Sequence, residues 1–296
     1  MKETENFKKT LIKVFVSIFL LALIFYKIDK RLFIESIKGI DFFYLPIILS
    51  FIILNYVVSS LRWRKLLSIF DGTEHVKLFT LVKLYFIGAF FNNFLPTSIG
   101  GDVYKAFRLG RYIKDHSKAF AATFMERFSG VVILSLFATY GLIGVFKIYG
   151  FLMFFGFWVA IFVFFKVIDK LSLKIRKLKE FSDALKVYKG QKGVLIYAFI
   201  TSIFVQVFSI LTQHFIFVSL GFPIPLGFSF FAFPVIILAS FFIPSQNSFG
   251  VQDALYGLLF LQVGVSLEGA ISASIVYHLI RLLVSLLGGV FYAIEK

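Results

Sequence analysis

Three stretches of this chain, 42–61, 128–146 and 194–222, run close to the width of a lipid bilayer without a Lys, Arg, Asp or Glu. A helix crossing the hydrocarbon core needs about 20 apolar residues. In lipid every backbone N–H and C=O must also be satisfied within the segment, which leaves helix as the form such runs take. The remainder agrees: 59% of the 296 residues are hydrophobic and the mean hydropathy is +0.90. The expected fold class is therefore an all-α polytopic membrane protein. There is no cysteine, which excludes disulfides, thiolate metal sites and cysteine nucleophiles. The net charge of +15 is carried by loops between apolar segments. Topology and anionic lipid headgroups explain it better than nucleic acid does.

Apolar segments fall at 11–26, 42–61, 78–95, 119–146, 150–168, 194–220, 227–243, 254–267 and 270–293. The first follows a basic start with no small-residue cleavage site after it, so it is expected to be a retained span. Loops rich in Lys and Arg face the cytoplasm. Residues 1–13 and 62–77 each carry four such residues, 103–118 carry five and 166–193 carry nine. If all are inside, 78–95 leaves one basic loop and arrives at another, so it cannot cross simply. A re-entrant hairpin over 78–115 resolves this, and the same reasoning makes 227–267 a second hairpin entering from the opposite face. The expectation is about six full transmembrane helices plus two oppositely oriented re-entrant hairpins, an inverted repeat, with both termini cytoplasmic. It is a single integral membrane domain, 1–296, with halves at about 1–146 and 150–296. The loop 27–41, placed outside, balances Lys27, Lys30, Arg31 and Lys38 against Asp29, Glu35 and Asp41.

Each hairpin holds the same polar phrase. The first reads Phe94-Leu95-Pro96-Thr97-Ser98-Ile99-Gly100-Gly101-Asp102; the second reads Phe242-Ile243-Pro244-Ser245-Gln246-Asn247-Ser248-Phe249-Gly250-Val251-Gln252-Asp253. Both open on Phe-aliphatic-Pro-hydroxyl, pass through Gly and close on Asp. Pro and Gly interruptions at corresponding places of two hydrophobic halves point to a transporter's binding site. Irregular backbone at membrane depth persists only against protein or a watery cavity, so the two tips are expected to line one.

Charges within apolar segments cost from about 3 to more than 10 kcal/mol, and so mark candidate sites. They are Lys83, Asp102, Glu126, Arg127, Asp253, Glu268 and Arg281, with His214 and His278 as titratable neighbours. Asp102 and Asp253 fit two roles, contact with a cationic group or capping of the helices that follow. A helix N-terminus attracts an anion by only about 0.3–2 kcal/mol, so a lipid phosphate at membrane depth needs basic side chains as well. Lys105, Arg108 and Arg111 follow the first phrase at three-residue spacing and are candidates, or else interfacial anchors. Glu126-Arg127 opens the fourth span or sits at its interface. Arg281 lies deep in the last span, on one face with His278 and Ser285, and needs an acidic or phosphate partner such as Asp253 or Glu126. Thr201, Gln206, Ser209, Gln213 and His214 form a polar stripe suited to interhelical hydrogen bonds.

In 171–188 apolar residues recur every three or four positions among lysines, the pattern of a helix in the headgroup plane; 32–40 is a weaker instance. No dinucleotide turn, P-loop, nucleophile elbow or zinc motif is present. His75, His116, His214 and His278 have no ligand spacing. No cofactor and no metal is expected, and no catalytic residue is assigned.

These residues resemble the membrane domain of the lysylphosphatidylglycerol synthase/flippases, a flippase-like family. The likeness rests on Arg62-Trp63, Asn92-Asn93-Phe94-Leu95-Pro96 with Gly100-Gly101-Asp102, a basic residue at Lys105 or Arg108, and Glu126-Arg127. It continues in the basic amphipathic stretch 181–188 and in Pro244 with Gly250-Val251-Gln252-Asp253. Two details depart from the pattern: Ser248-Phe249 stands where a glycine is usual, and Asp253 replaces Glu. Residues 1–296 hold no counterpart of the soluble aminoacyl-transfer domain of the two-part enzymes. The resemblance thus implies the lipid-translocating part, not lysyl transfer.

The expected function is a lipid flippase or transporter of a prokaryotic cytoplasmic membrane, binding or moving a phosphate-bearing phospho- or polyprenyl lipid without ATP. Its expected substrate-binding residues are Asn93, Pro96, Gly100, Gly101, Asp102, Lys105, Arg108, Arg111, Glu126, Arg127, Pro244, Gly250, Asp253 and Arg281. Expected partners are membrane lipids with anionic headgroups, together with a separately encoded lipid-modifying enzyme. The alternatives are a membrane glycosyltransferase, supported by Asp29, Glu35 and Asp41, and an accessory scaffold for lipid synthesis.

Overall fold

A computed structural model of the chain describes residues 30–94, 100–146, 176–242, 248 and 250–294, with scattered positions between 152 and 171. Among the described residues every regular element is helical. In chain order these are α1 (Lys30–Lys38), α2 (Leu45–Leu67), α3 (Leu78–Phe94), α4 (Gly100–Tyr112) and α5 (His116–Phe146). Then follow α6 (Arg176–Lys186), α7 (Lys192–Ser219), α8 (Leu226–Phe242), α9 (Val251–Phe260) and α10 (Leu267–Ile294).

Among the described residues four stretches are long and apolar enough to cross a membrane: Phe42–Leu67, His116–Tyr140, Lys192–Ser219 and Leu267–Ile294. They coincide with four of the six expected spans. Of the other two, 11–26 lies outside the described residues, and 150–168 is described only at scattered helical positions. α3 and α8 are apolar but shorter, at 17 residues each. A helix of that length rises about 26 Å, less than the roughly 30 Å of a hydrocarbon core. These two short helices lead into the two polar phrases. Pro96 and Pro244, with most of each phrase's turn, lie outside the described residues.

The chain divides into two compact units. Met1–Ile53, Phe86–Gly101 and Phe208–Lys296 form the first, and Leu54–Tyr85 with Asp102–Val207 form the second. In the first, an aromatic stack fills the centre: the rings of Phe217 and Phe260 are 4.2 Å apart, and Phe233 and Tyr256 close round them. In the second, Trp63, Leu66, Leu81 and Leu109 pack against Ala119, Ala121 and Ala122. Three alanines on the first turns of α5 let its neighbours approach closely, which is how helices pack where lipid offers no hydrophobic drive.

The amphipathic stretch does form a helix, and its apolar side packs on protein. Phe181 meets Phe124 edge-on at 5.8 Å, and Tyr188, in the 3-10 turn that follows, is buried and donates to the Leu66 carbonyl at 2.9 Å. Burial pushes the Tyr188 phenol above its ordinary range, so it remains a donor. Apolar periodicity states that a face must be covered; it does not state by what.

A second difference concerns the loop charges. α2 continues to Leu67, so Arg62 is not a loop residue; it is 3% exposed inside the second unit. Lys105, counted with the loop 103–118, is buried to 1% within α4. A carboxylate within reach of each makes this burial tolerable, and spacing along the sequence does not reveal that partner.

Candidate functional site

The second unit holds a cluster of five charges around Glu126, ten residues into α5 and fully buried. One Glu126 oxygen accepts from the Arg62 guanidinium, and the other accepts from Lys105 Nζ at 3.2 Å. Lys105 Nζ also meets Asp102 Oδ1 at 3.1 Å. The ammonium lies 3.8 Å from the Tyr85 ring centroid and 5.0 Å from that of Trp63, so aromatic faces close the sides the carboxylates leave open. Arg127 donates to Asp102 Oδ1 at 2.5 Å. Behind Arg62, a hydroxyl chain runs to Ser202 at 2.7 Å and on to Ser129 at 3.1 Å.

Helical spacing produces this arrangement. Asp102 and Lys105 are three apart on α4 and share a face. Glu126 and Arg127 are adjacent on α5 and diverge by about 100°, so one turns into the core and the other outward. Arg127 is accordingly the accessible member, its side chain 47% exposed against 0% for Glu126 and 1% for Lys105. Among the described residues, the acids that pair with Arg62, Lys105 and Arg127 are Glu126 and Asp102, so the cluster as described carries one positive charge in excess. Replacing a buried ion network with apolar residues is often neutral or stabilises a fold by about 1–4 kcal/mol. Stability therefore does not account for keeping five charges here.

Glu126 and Arg127 thus lie well inside α5 rather than at its edge. Lys105 is enclosed by its partners and positions Glu126 and Asp102. Arg108 is half-buried on α4, while Arg111 is exposed and stacks on Phe107 at 4.9 Å.

In the first unit, the start of α4 is held by α3. Gly101 N–H, one of the donors a helix start leaves without an intrahelical acceptor, donates to Asn92 Oδ1 at 2.7 Å. A Cβ at Gly101 would collide with the Gly88 carbonyl, so only glycine allows this approach. Asn93 donates to Ser285 Oγ on α10 at 2.6 Å. Gly100 opens α4 beside them.

The second phrase ends differently. Gly250 precedes α9 at φ 78°, in the left-handed half of backbone space. Asp253, the third helical residue, reaches back so that Oδ2 accepts the Gly250 N–H at 2.8 Å. The cap position itself belongs to Gly250, and Asp253 closes the turn from inside the helix. Its other oxygen, Oδ1, is buried without a hydrogen bond and faces His278 Nε2 at 3.7 Å. Arg281, expected to meet an acidic or phosphate partner, has the Tyr277 ring among its contacts, 5.2 Å from its guanidinium. Gln213 accepts from Tyr256 at 2.5 Å, Gln206 donates to the Gly130 carbonyl at 3.0 Å, and His214 meets Ser229 at 2.9 Å. Gln206, Gln213 and His214 of the α7 stripe thus make interhelical bonds, while Thr201 donates to carbonyls of its own helix.

Among the acids behind the glycosyltransferase alternative, Asp41 caps the turn at Phe42–Tyr44 and Glu35 pairs with Arg31. Asp29 lies outside the described residues. Sequence reasoning placed Arg62 among loop charges and passed over Tyr85; the signals for Arg62 were its position directly after an uncharged run and the Arg62-Trp63 pair of the family likeness.

Long apolar helices with a buried ionic cluster define a multi-pass α-helical membrane protein. Residues 10–289 match the family model described as the lysylphosphatidylglycerol synthase TM region, and the chain belongs to that family. Neither a curated protein nor a solved structure gives a match.

Proposed function

We propose that the protein is a flippase-type lipid transporter that binds and translocates a lipid bearing a phosphate in its headgroup. The observation that carries this reading is the second unit's cluster, with three cations, two carboxylates and a half-exposed Arg127. The guanidinium fork matches phosphate oxygens in a bidentate way that a lysine cannot. Asp102 holds Arg127 in place and yields it when a phosphate competes. Glu126, Arg62 and Lys105 keep Asp102 and Arg127 oriented. An ionisable group within an apolar span is by default a site of function.

The accompanying architecture is a single membrane domain of six spans and two re-entrant pairs of opposite orientation. It sits in a prokaryotic cytoplasmic membrane with both termini inside, and the two phrases face a cavity. The shortness of α3 and α8, and the tight seat of Gly101 on α3, favour it. Anionic lipids and a separately encoded lipid-modifying enzyme are its partners.

Purified full-length protein reconstituted into liposomes with headgroup-labelled phospholipids or polyprenyl phosphates tests the reading. Transbilayer movement faster than in protein-free liposomes is expected for at least one of these substrates. Movement equal to that of protein-free liposomes for all of them overturns it.

A further inference from the structure

We infer that Asp253 and His278 form a proton-binding site in the first unit, and that lipid movement is coupled to the proton this pair takes up and releases. The inference rests on the transport reading above.

Four observations carry it. Asp253 is fully buried, so its charge is costly unless compensated. Its structural task, closing the turn onto Gly250, occupies Oδ2 alone. Oδ1 is left within the protein without a donor, aimed at the imidazole Nε2 3.7 Å away. That distance is slightly longer than a hydrogen bond. A proton arriving on Nε2 creates an N–H that Oδ1 can accept, and its departure restores a neutral imidazole beside a carboxylate. No bond other than N–H changes, and the proton comes from and returns to water.

The surrounding groups set the charge. From α10, Tyr277 stands beside the imidazole, and Arg281 lies over the Tyr277 ring at 5.2 Å. From α9, Tyr256 is engaged with Gln213 of α7, and His214 of α7 is engaged with Ser229 of α8. α8 and residues 86–94 of α3 contain no ionisable side chain. α1 packs on α10, and there Arg31 and Glu35 pair with each other at its exposed surface. Taking up the proton raises the charge of the site by one positive unit. Histidine is the side chain whose ordinary range lets it gain and lose a proton near neutral pH. A phosphate-bearing lipid brings negative charge, and a carrier that takes up a proton with it moves one unit less of net negative charge across the bilayer.

The test has two arms on the full chain. In nanodiscs, proton uptake on a jump across the histidine range is followed with an indicator dye for the wild type, His278→Gln and Asp253→Asn. The wild type is expected to take up about one proton per chain more than His278→Gln, and Asp253→Asn should shift the pH at which that proton binds. Identical uptake by all three overturns the site. In liposomes with the membrane potential clamped at zero, a gradient of about one pH unit is imposed. One-to-one coupling then shifts labelled lipid between leaflets by up to about tenfold, equivalent to 1.4 kcal/mol. Lipid that moves but stays evenly distributed overturns the coupling while leaving transport intact. If no lipid moves, the transport reading fails, and with it the coupling. Uptake then decides the site alone. If a variant does not fold, the wild-type gradient experiment decides.

Discussion

Asp102 and Asp253 stand at the same place in two similar phrases, each the third residue of its helix. In the second unit Asp102 is drawn into an ionic cluster by Lys105 and Arg127. In the first unit no Lys or Arg among the described residues pairs with Asp253; it closes the turn on Gly250 and turns its remaining oxygen to His278. One local sequence thus supports two chemistries, because the neighbours that decide them arrive from distant helices. The motif sets where the carboxylate points along its own helix. The partner across the interface sets what it does.

The largest effect should follow from removing the centre of the ionic cluster. Glu126→Ala leaves Arg62 and Lys105 buried without their common carboxylate, a loss of about 3–5 kcal/mol. It is expected to show as a collapse of thermal stability and folded yield in detergent. Next comes the pair that puts the two aspartates side by side. Asp102→Asn removes the anion shared by Lys105 and Arg127, costing about 1.5–3 kcal/mol. Asp253→Asn keeps an oxygen for the Gly250 N–H and should cost about 1 kcal/mol or less. Equal drops in unfolding temperature for the two variants would contradict the contrast. Gly250→Ala forces a Cβ into the left-handed region and should lose about 1–2 kcal/mol, measurable by the same melts. The smallest effect is expected at the exposed end of α6. There Arg176→Ala breaks an i,i+4 pair with Glu180, worth at most about 0.5 kcal/mol, within the scatter of most thermal scans.

The membrane class was legible because apolar runs the width of a bilayer admit one solution, and four of the described helices follow the apolar segments 42–61, 119–146, 194–220 and 270–293 within a few residues, although α2 extends six residues past its segment. The candidate charges were legible for the same reason, since Asp102, Glu126, Arg127 and Asp253 interrupt apolar sequence. Their partners were not. Arg62 and Glu126 are 64 residues apart, and nothing local couples them. Tyr85 and Trp63, which complete the seat of Lys105, are hard to distinguish in a chain with 43 phenylalanines and 13 tyrosines. The capping role of Asp253 was half visible: a polar residue at a helix start was expected to be the cap. Gly250 takes that position because the backbone there turns left-handed, which placed the carboxylate three residues further on.

The account depends most directly on Arg127 meeting the lipid phosphate. The decisive measurement is the initial rate of transbilayer movement of a headgroup-labelled, phosphate-bearing lipid, for wild type and Arg127→Gln reconstituted at equal folded density. Loss of a guanidinium–phosphate contact of about 1.5–3 kcal/mol predicts a fall of roughly tenfold or more, with wild type well above protein-free liposomes. A rate for Arg127→Gln equal to that of an active wild type would contradict the account.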